Sequence, residues 1–364
     1  MHIGIAGAGL VGRLLSYLLT SEGHDITIFD VADSESDPRA AGFTAAGMLS
    51  HIAEIESGDR VILDLGLRSL ELWKAIVPSL SSPVELHYSG GLILAHQGDY
   101  GVANRLVSLL QKKAPADQSP LPLTLDELHK LEPDVHGVAH AWMLRNEGHI
   151  HTRQAMQALY ASCTNIYWRW QTPVKSLSTH KITTEKGDTY EFDWVFDARG
   201  VGAREFKHPN SHSISCNNVR GVRGEVIWLQ IPGLRLSRPI RLIHPRYRVY
   251  IVHRQPDILF VGASEIESED RSPISVRTMV ELLTAAHSVL PDISEARIIH
   301  TETNLRPATL DNLPRIETED GITRVNGLFR HGWLIAPAVV EDALKPLLGR
   351  DYSIMDTISK KNEN

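Results

Sequence analysis

The chain has 364 residues, 42 % hydrophobic and 22 % charged, with a formal net charge of −7 when histidine is neutral. That length allows two domains with real cores, and the composition is that of an ordinary globular protein. The negative balance, with no basic cluster to contradict it, excludes nucleic acid as the expected partner.

The first thirty residues organise the rest of the chain. His2-Ile3-Gly4-Ile5-Ala6 reads as a short buried strand, followed at once by Gly7-Ala8-Gly9-Leu10-Val11-Gly12. Arg13 to Glu22 carries Leu14, Leu15, Leu18 and Leu19 at helical spacing, and a second strand, Asp25 to Phe29, ends on Asp30. Strand, G-x-G-x-x-G turn, helix, strand and terminal acid come in the order a dinucleotide-binding unit needs. Gly7 makes the tight exit from the strand, Gly9 lets the backbone approach a pyrophosphate, and Gly12 lets the helix pack on the strand. The free N–H groups of the helix start would meet the phosphates, and Asp30 would accept hydrogen bonds from a ribose diol. The competing reading, an apolar leader or membrane anchor, is opposed by Arg13 inside the run and by the acid-ended strand after it.

Further along, Ala40 to Leu49 is dense in small residues, as suits backbone lying flat against a planar group. Val61 to Ile76 has helical periodicity. Val84 to Leu94 alternates like a strand, broken at Gly90-Gly91. Leu106 to Lys112 and Asp126 to Leu131 read as helices around a Pro-rich loop. Short strands are expected at Ile166–Trp170, Val174–Ser178, Ile182–Glu185, Tyr190–Phe192 and Trp194–Ala198, the last leading into Arg199-Gly200-Val201-Gly202. From Val219 the texture turns to antiparallel β, with a helix over Val276–Leu290. A strand over Ile298–Asn304 is expected to open into an irregular loop at Arg306-Pro307. Gly327–Phe329 reads as a strand, Ala338–Leu348 as the final helix, and the tail after Asp356 as frayed. His149 and His151 would share one strand face, but no third ligand lies near and a metal site is not expected. Cys163 and Cys216 stand apart, read as buried hydrophobes and fit a reducing, cytoplasmic compartment.

With these segments in place, the chain resembles the D-amino-acid oxidase superfamily of FAD enzymes, and within it the glycine oxidase branch associated with thiamine biosynthesis. The carrying segments are Gly7 to Asp30; Ala45-Ala46-Gly47-Met48-Leu49 with Ala53-Glu54; Ser89-Gly90-Gly91; Ala198 to Val201; Gly221-Val222-Arg223-Gly224-Glu225; Tyr250-Ile251-Val252 with Val261-Gly262-Ala263; Leu305 to Thr309; and Phe329-Arg330-His331-Gly332 through Ala338. The resemblance implies an α/β fold. A Rossmann-like FAD-binding domain of the p-hydroxybenzoate hydroxylase and glycine oxidase type would carry an inserted antiparallel β-sheet substrate domain. Residues 1–85, 146–215 and 302–364 would form the first, and 86–145 and 216–301 the second. It implies non-covalent FAD, with Ala45, Ala46, Gly47 and Met48 along the isoalloxazine and the Val174 backbone on the adenine side. Gly200 would approach the same cofactor, and Arg330, Gly332, Trp333 and Leu334 would face the flavin O2/N1 edge. Arg306 would hold a substrate carboxylate with Tyr250, and Arg330 would face the same site. The implied reaction is oxidation of a C–N bond in a small amine or amino acid, by hydride transfer to flavin N5 and without a dedicated base.

Three positions depart from the glycine oxidase pattern. Arg248 stands on the Tyr250 strand face where an uncharged residue is usual, Glu265 replaces an apolar pocket residue, and His151-Thr152 replaces an acid-Pro pair. A charged pocket suits a larger charged amine, a dicarboxylate or a side chain of another protein. The alternative reading comes from the last: a flavoprotein that oxidises a tryptophan of a quinoprotein precursor during tryptophylquinone formation. The crowded set Arg246, Arg248, His253 and Arg254 is compatible with it.

Overall fold

The computed structural model describes residues 1–56, 60–204, 216–243, 248–254 and 256–363. Arg246 lies outside them. Among the described residues, one sheet runs in the order Arg315–Glu319, Ile322–Asn326, Trp194–Asp197, His2–Ala6, Asp25–Phe29 and Ile166–Arg169. All neighbours pair in parallel except the first two. Ile3, Ile5, Ile26 and Ile28 are buried, as befits parallel strands covered on both faces. Helix Leu10–Ser21 buries Leu14, Leu15, Leu18 and Leu19 against this sheet and against the long helix Gly332–Leu348.

A second sheet runs in the order Arg297–Ala308, Arg220–Gln230, Ile258–Gly262, Val249–Arg254, Ile240–Leu242, Gly91–Ala95, His140–Leu144 and Leu121–Leu123. Its pairings are antiparallel except between Ile240–Leu242 and Gly91–Ala95. Helix Val276–His287 packs its Leu282 and Ala286 on one face, against Ile227, Ile251 and Leu259. The other face carries Val226, Trp228, Val252 and Phe260, against Ala46 and Met48. A small sheet of Met48–Leu49, Gly148–Ile150 and Leu86–His87 links the two. The parallel sheet with an added antiparallel sheet is the fold class the sequence implies.

Several boundaries differ from the sequence reading. The Arg297–Ala308 strand does not break at Arg306-Pro307; its register with Arg220–Gln230 continues through Val222↔Arg306 and Gly221↔Pro307. It is an edge strand, where a proline costs no ladder bond. Gly327–Phe329 is not a strand: the strand is Ile322–Asn326, and Gly327 turns out of it at φ +76°. The tail after Asp356 is not frayed, because helix Ile354–Glu363 buries Thr357 and Ile358 and the Thr357 hydroxyl donates to Glu22. His151 lies beyond the strand that holds His149; it caps helix Thr152–Ala161, its Nδ1 accepting from Gln154 N. Among the described residues no group of three or more His, Cys, Asp or Glu could hold a metal. No described helix is long and apolar enough to cross a membrane. Cys163 and Cys216 are free thiols, each pushed up to about 12 by burial.

The last helix begins at Gly332, six residues before the expected Ala338, because Pro337 sits inside it. Proline lacks the N–H that would bond to the carbonyl four residues back. Here that carbonyl, on Trp333, accepts from Trp73 Nε1 at 2.8 Å, and the next N–H, of Ala338, donates to Ser69 Oγ at 3.1 Å. Both partners come from helix Arg60–Ile76, so the defect is repaired from outside.

Candidate active site

A cleft of about 1000 Å³ runs between the two sheets. Its floor begins at the glycine turn. Gly7 has φ +102°, which only glycine adopts readily, and a Cβ there would meet the Ala198 carbonyl. At Gly12 a Cβ would run into the Gly7 carbonyl oxygen. Gly9 is different. Its φ is −73°, and the nearest atom to an added Cβ is Ala40 Cβ at 3.6 Å. Neither packing nor backbone demands glycine there; only a group lying in the cleft would. This is the mark of a seat for a bound dinucleotide. Asp30 lines the cleft, its Oδ2 accepting from Ala8 N at 2.5 Å and its Oδ1 from Ala32 N at 2.7 Å. A carboxylate has about four acceptor positions, so capacity for a diol remains.

The Ala45–Met48 segment lines the cleft and is pinned from behind. Ile150 N donates to Gly47 O at 2.9 Å, Thr152 Oγ1 to Ala45 O at 3.2 Å, and Arg254 Nη2 to Ala46 O at 2.6 Å. Gly47 needs its φ of +68°. Gly200, at φ +58°, lines the cleft beside Arg199, whose guanidinium holds Asp197 at 2.9 and 2.7 Å and donates to Val174 O at 3.2 Å. Val174 therefore stands behind Arg199, not in the cleft lining, and its carbonyl is in use. Gly332, Trp333 and Leu334 also line the cleft. They open a 17-residue helix, so its N-terminal N–H groups and positive dipole end lie at the cleft.

The wall facing that floor is charged. Its hub is Glu54, a residue to which sequence pattern alone assigns no role. Glu54 is buried, with Oε1 2.5 Å from Arg241 Nη2 and Oε2 3.1 Å from Arg330 Nε and 3.2 Å from His331 Nδ1. Burial alone would raise its pKa, but Arg330, Arg241 and His331 outweigh that and hold it well below the usual carboxylate range. Arg330 Nη2 also donates to the Tyr250 hydroxyl, and Arg241 stacks 4.9 Å from the Tyr250 ring centre. A lone acid inside the apolar run Ile52-Ala53-Glu54-Ile55 is the signal in the sequence for this hub. Glu147, buried behind Arg241, is pushed up to about 7 chiefly by desolvation, against the pull of Arg241.

Arg306 lies on the same wall. Its Nη1 donates to Arg223 O at 3.3 Å and its Nη2 to Ser264 O at 3.0 Å; among the described residues it has no acidic partner within ion-pair distance. Desolvation lowers its pKa. Its two carbonyl partners are fixed by Glu225, fully buried on the neighbouring strand. Glu225 accepts from Arg223 Nη2 at 2.6 Å, Ser264 Oγ at 3.0 Å, Ser275 N at 2.9 Å and the Thr278 hydroxyl.

The two charged departures both line the cleft, and both are paired within the chain. Arg248 holds Glu56, with Nε 3.1 Å from Oε2, and Arg330 Nη1 lies 3.1 Å from Glu265 Oε2. Tyr250, Arg306, Arg330, Arg248 and Glu265 are thus brought together on one wall, across from the glycine turn and the Ala45–Met48 segment.

Comparison with known proteins agrees with this geometry. Residues 2–342 match the DAO family, described as FAD dependent oxidoreductase. The chain belongs to the DAO family of FAD-dependent oxidoreductases. It is 34 % identical over 349 residues, 96 % of this chain and 97 % of the relative, to a Rhizobium etli protein named "Putative thiamine biosynthesis oxidoreductase ThiO". It is 26 % identical to a glycine oxidase of Bacillus licheniformis, over 95 % of this chain and 92 % of that one. Among solved structures, glycine oxidase from Geobacillus kaustophilus superposes with a TM-score of 0.81 at 23 % identity, covering 96 % and 95 % of the two chains. Iminodiacetate oxidase from a Chelativorans species gives 0.79 at 20 % identity, covering 94 % of each chain. FAD is therefore the dinucleotide of this DAO family member, and the cleft has the glycine turn, the acid and the helix start to receive it.

Proposed function

We propose that this enzyme oxidises the C–N bond of an amino acid or related small amine, in the manner of the glycine oxidases and ThiO protein it resembles. The observation that carries the reading is Arg306, seated on two carbonyls in the cleft wall and, among the described residues, without an acidic partner within ion-pair distance. A planar guanidinium so placed offers its remaining donors to a carboxylate. Gly7, Gly9, Asp30, Ala45 to Met48, Gly200, Arg330 and Gly332 to Leu334 hold the cofactor. Among the described lining residues there is no cysteine, and the one histidine, His331, faces Glu54, which supports non-covalent binding. FAD, when bound, takes the two electrons and the Cα hydrogen lost as the C–N bond becomes C=N.

The protein supplies orientation. Arg306 anchors the carboxylate, the Tyr250 hydroxyl and Arg330 stand beside it, and the Glu54 hub keeps Arg330 and Tyr250 from moving as charge changes. The charged departures that raised a protein substrate are met by pairs inside the chain, so the small-amine reading needs no quinoprotein partner. We read residues 1–85, 146–215 and 302–364 as the cofactor domain and the remainder as the substrate domain. Cofactor-side glycines and Asp30 fall in the first group and Tyr250, Arg248 and Glu265 in the second. Two free thiols support a cytoplasmic setting.

The test is anaerobic mixing of the yellow holoprotein with glycine, sarcosine, D-amino acids and iminodiacids while following flavin absorbance near ~450 nm. Bleaching by one of them, abolished in Arg306→Ala with its flavin spectrum intact, is the expected result. A bound flavin that none of these amines bleaches overturns the reading.

A further inference from the structure

We propose that Glu265 is a specificity-determining residue, admitting zwitterionic amino acids and turning away carboxylates that carry no amine. The inference rests on the reading of Arg306 and Arg330 as the carboxylate seat.

Glu265 lines the cleft, and its side chain is 40 % exposed while that of Arg330 is 17 % exposed. Its Oε2 lies 3.1 Å from Arg330 Nη1, the part of that guanidinium left over when Nε serves Glu54 and Nη2 serves Tyr250. The backbone on both sides of Glu265 is fixed. Ser264 O accepts from Arg306 Nη2 at 3.0 Å, and Ile266 exchanges two hydrogen bonds with Arg223, at 2.9 and 3.0 Å. Glu265 also attracts Arg306, ahead of every other charged neighbour of that guanidinium. Its carboxylate thus occupies the free side of the Arg330 guanidinium, with Arg306 nearby, and acts as a stand-in for the carboxylate of a ligand.

The consequence is a rule of charge. A ligand carboxylate that takes Arg330 Nη1 displaces Glu265 and leaves a second anion beside itself. Like charges at such separations repel, and the segment's fixed backbone keeps the displaced Glu265 side chain rooted at the cleft. A ligand that brings an ammonium together with its carboxylate gives Glu265 a new partner, so the exchange leaves no charge unpaired. Specificity here comes from a repulsive element as much as an attractive one.

The experiment uses the FAD-loaded protein and two inert probes that differ by one amine, isobutyrate and 2-aminoisobutyrate. The latter has no α-hydrogen and cannot be oxidised to an imine at Cα. Dissociation constants are read from perturbation of the flavin spectrum, for the natural protein and for Glu265→Gln, with the thermal midpoint followed alongside. The natural protein is expected to prefer 2-aminoisobutyrate. Glu265→Gln is expected to bind isobutyrate at least threefold more tightly, with 2-aminoisobutyrate unchanged or weaker. An unchanged ratio of the two constants overturns the proposal, as does failure of both probes to bind either protein. Arg306→Ala separates the two readings. If it binds both probes as the natural protein does, the carboxylate seat is misassigned, whatever Glu265→Gln shows.

Discussion

The guanidinium of Arg306 lies where a side chain at residue 224 would have to be: a Cβ built on Gly224 falls 2.6 Å from Arg306 Cζ. The two face each other across paired strands, Val222↔Arg306 and Gly224↔Asn304 in register. Gly224 is therefore glycine because an arginine lies on it. Gly224→Ala should push Arg306 off its carbonyl seat. kcat/KM for a carboxylate-bearing amine should fall at least tenfold, about 1.4 kcal/mol of transition-state stabilisation, while FAD binding is unchanged. Steady-state kinetics together with a flavin titration check this; equal loss of flavin would mean the fold, not Arg306, was disturbed.

Gly9 and Gly12 should respond in opposite ways. Gly9→Ala adds a methyl group that meets only the cleft, so the apoprotein should keep its stability within about 0.5 kcal/mol and lose FAD affinity tenfold or more. Gly12→Ala forces Cβ into the Gly7 carbonyl and should cost the apoprotein about 1–3 kcal/mol, as overpacking does. Denaturant melts of the apoproteins, with FAD titrations, distinguish the two.

Glu54→Gln removes the one charge shared by Arg241, Arg330 and His331. Breaking a buried ion pair from one side leaves its partners uncompensated, at about 3–5 kcal/mol. The thermal midpoint should drop by many degrees, with FAD excess restoring little of it. A midpoint within a degree of the natural protein would show that the arginines find other partners.

His149 lies in the strand that pairs with Met48 behind the Ala45–Met48 segment, and His151 follows that strand as the cap of the next helix. Desolvation first, then Arg254, lowers them to about 3 and about 4. In the folded protein they stay neutral at pH values where the unfolded chain, titrating near 6.5, already binds protons. Stability is thus full above about 6.5 and is lost as pH falls toward 4, by about 1 kcal/mol for each histidine between pH 6.5 and 5.5. FAD fluorescence released on acidification should appear in that window. His149→Phe, which keeps a ring against His87 5.1 Å away, should shift release to lower pH.

The glycine turn and Asp30 on the cleft floor are legible in the sequence, since they are local in the chain and their spacing is itself the geometry. The substrate wall is legible only by residue. Arg306, Tyr250 and Arg330 come from three distant segments, and the ion pairs that tie Arg248 to Glu56 and Arg330 to Glu265 have no sequence signature. Glu54 is visible only as an odd acid among apolar neighbours. Two of the local rules that fail concern proline. Pro307 does not end its strand because the strand lies at a sheet edge, and Pro337 does not exclude its helix because Trp73 repairs the gap. Tertiary partners decide both outcomes, and no window of sequence contains them.

The unbroken Arg297–Ala308 strand sets Asn304 and Arg306 two residues apart on one face. Asn304 Nδ2 donates to Thr44 Oγ1 at 3.1 Å and to Pro38 O at 3.0 Å, fastening the strand to the segment that leads into the cofactor's side of the cleft. One pleat repeat, about 7 Å, thus works as a ruler between the anchor point and the carboxylate clamp. The guanidinium of Arg306 is thereby set at a fixed distance from the Asn304 anchor on the cofactor's side of the cleft. Insertion of a single residue between Asn304 and Arg306 would turn the Arg306 side chain to the opposite face of the sheet, away from the cleft.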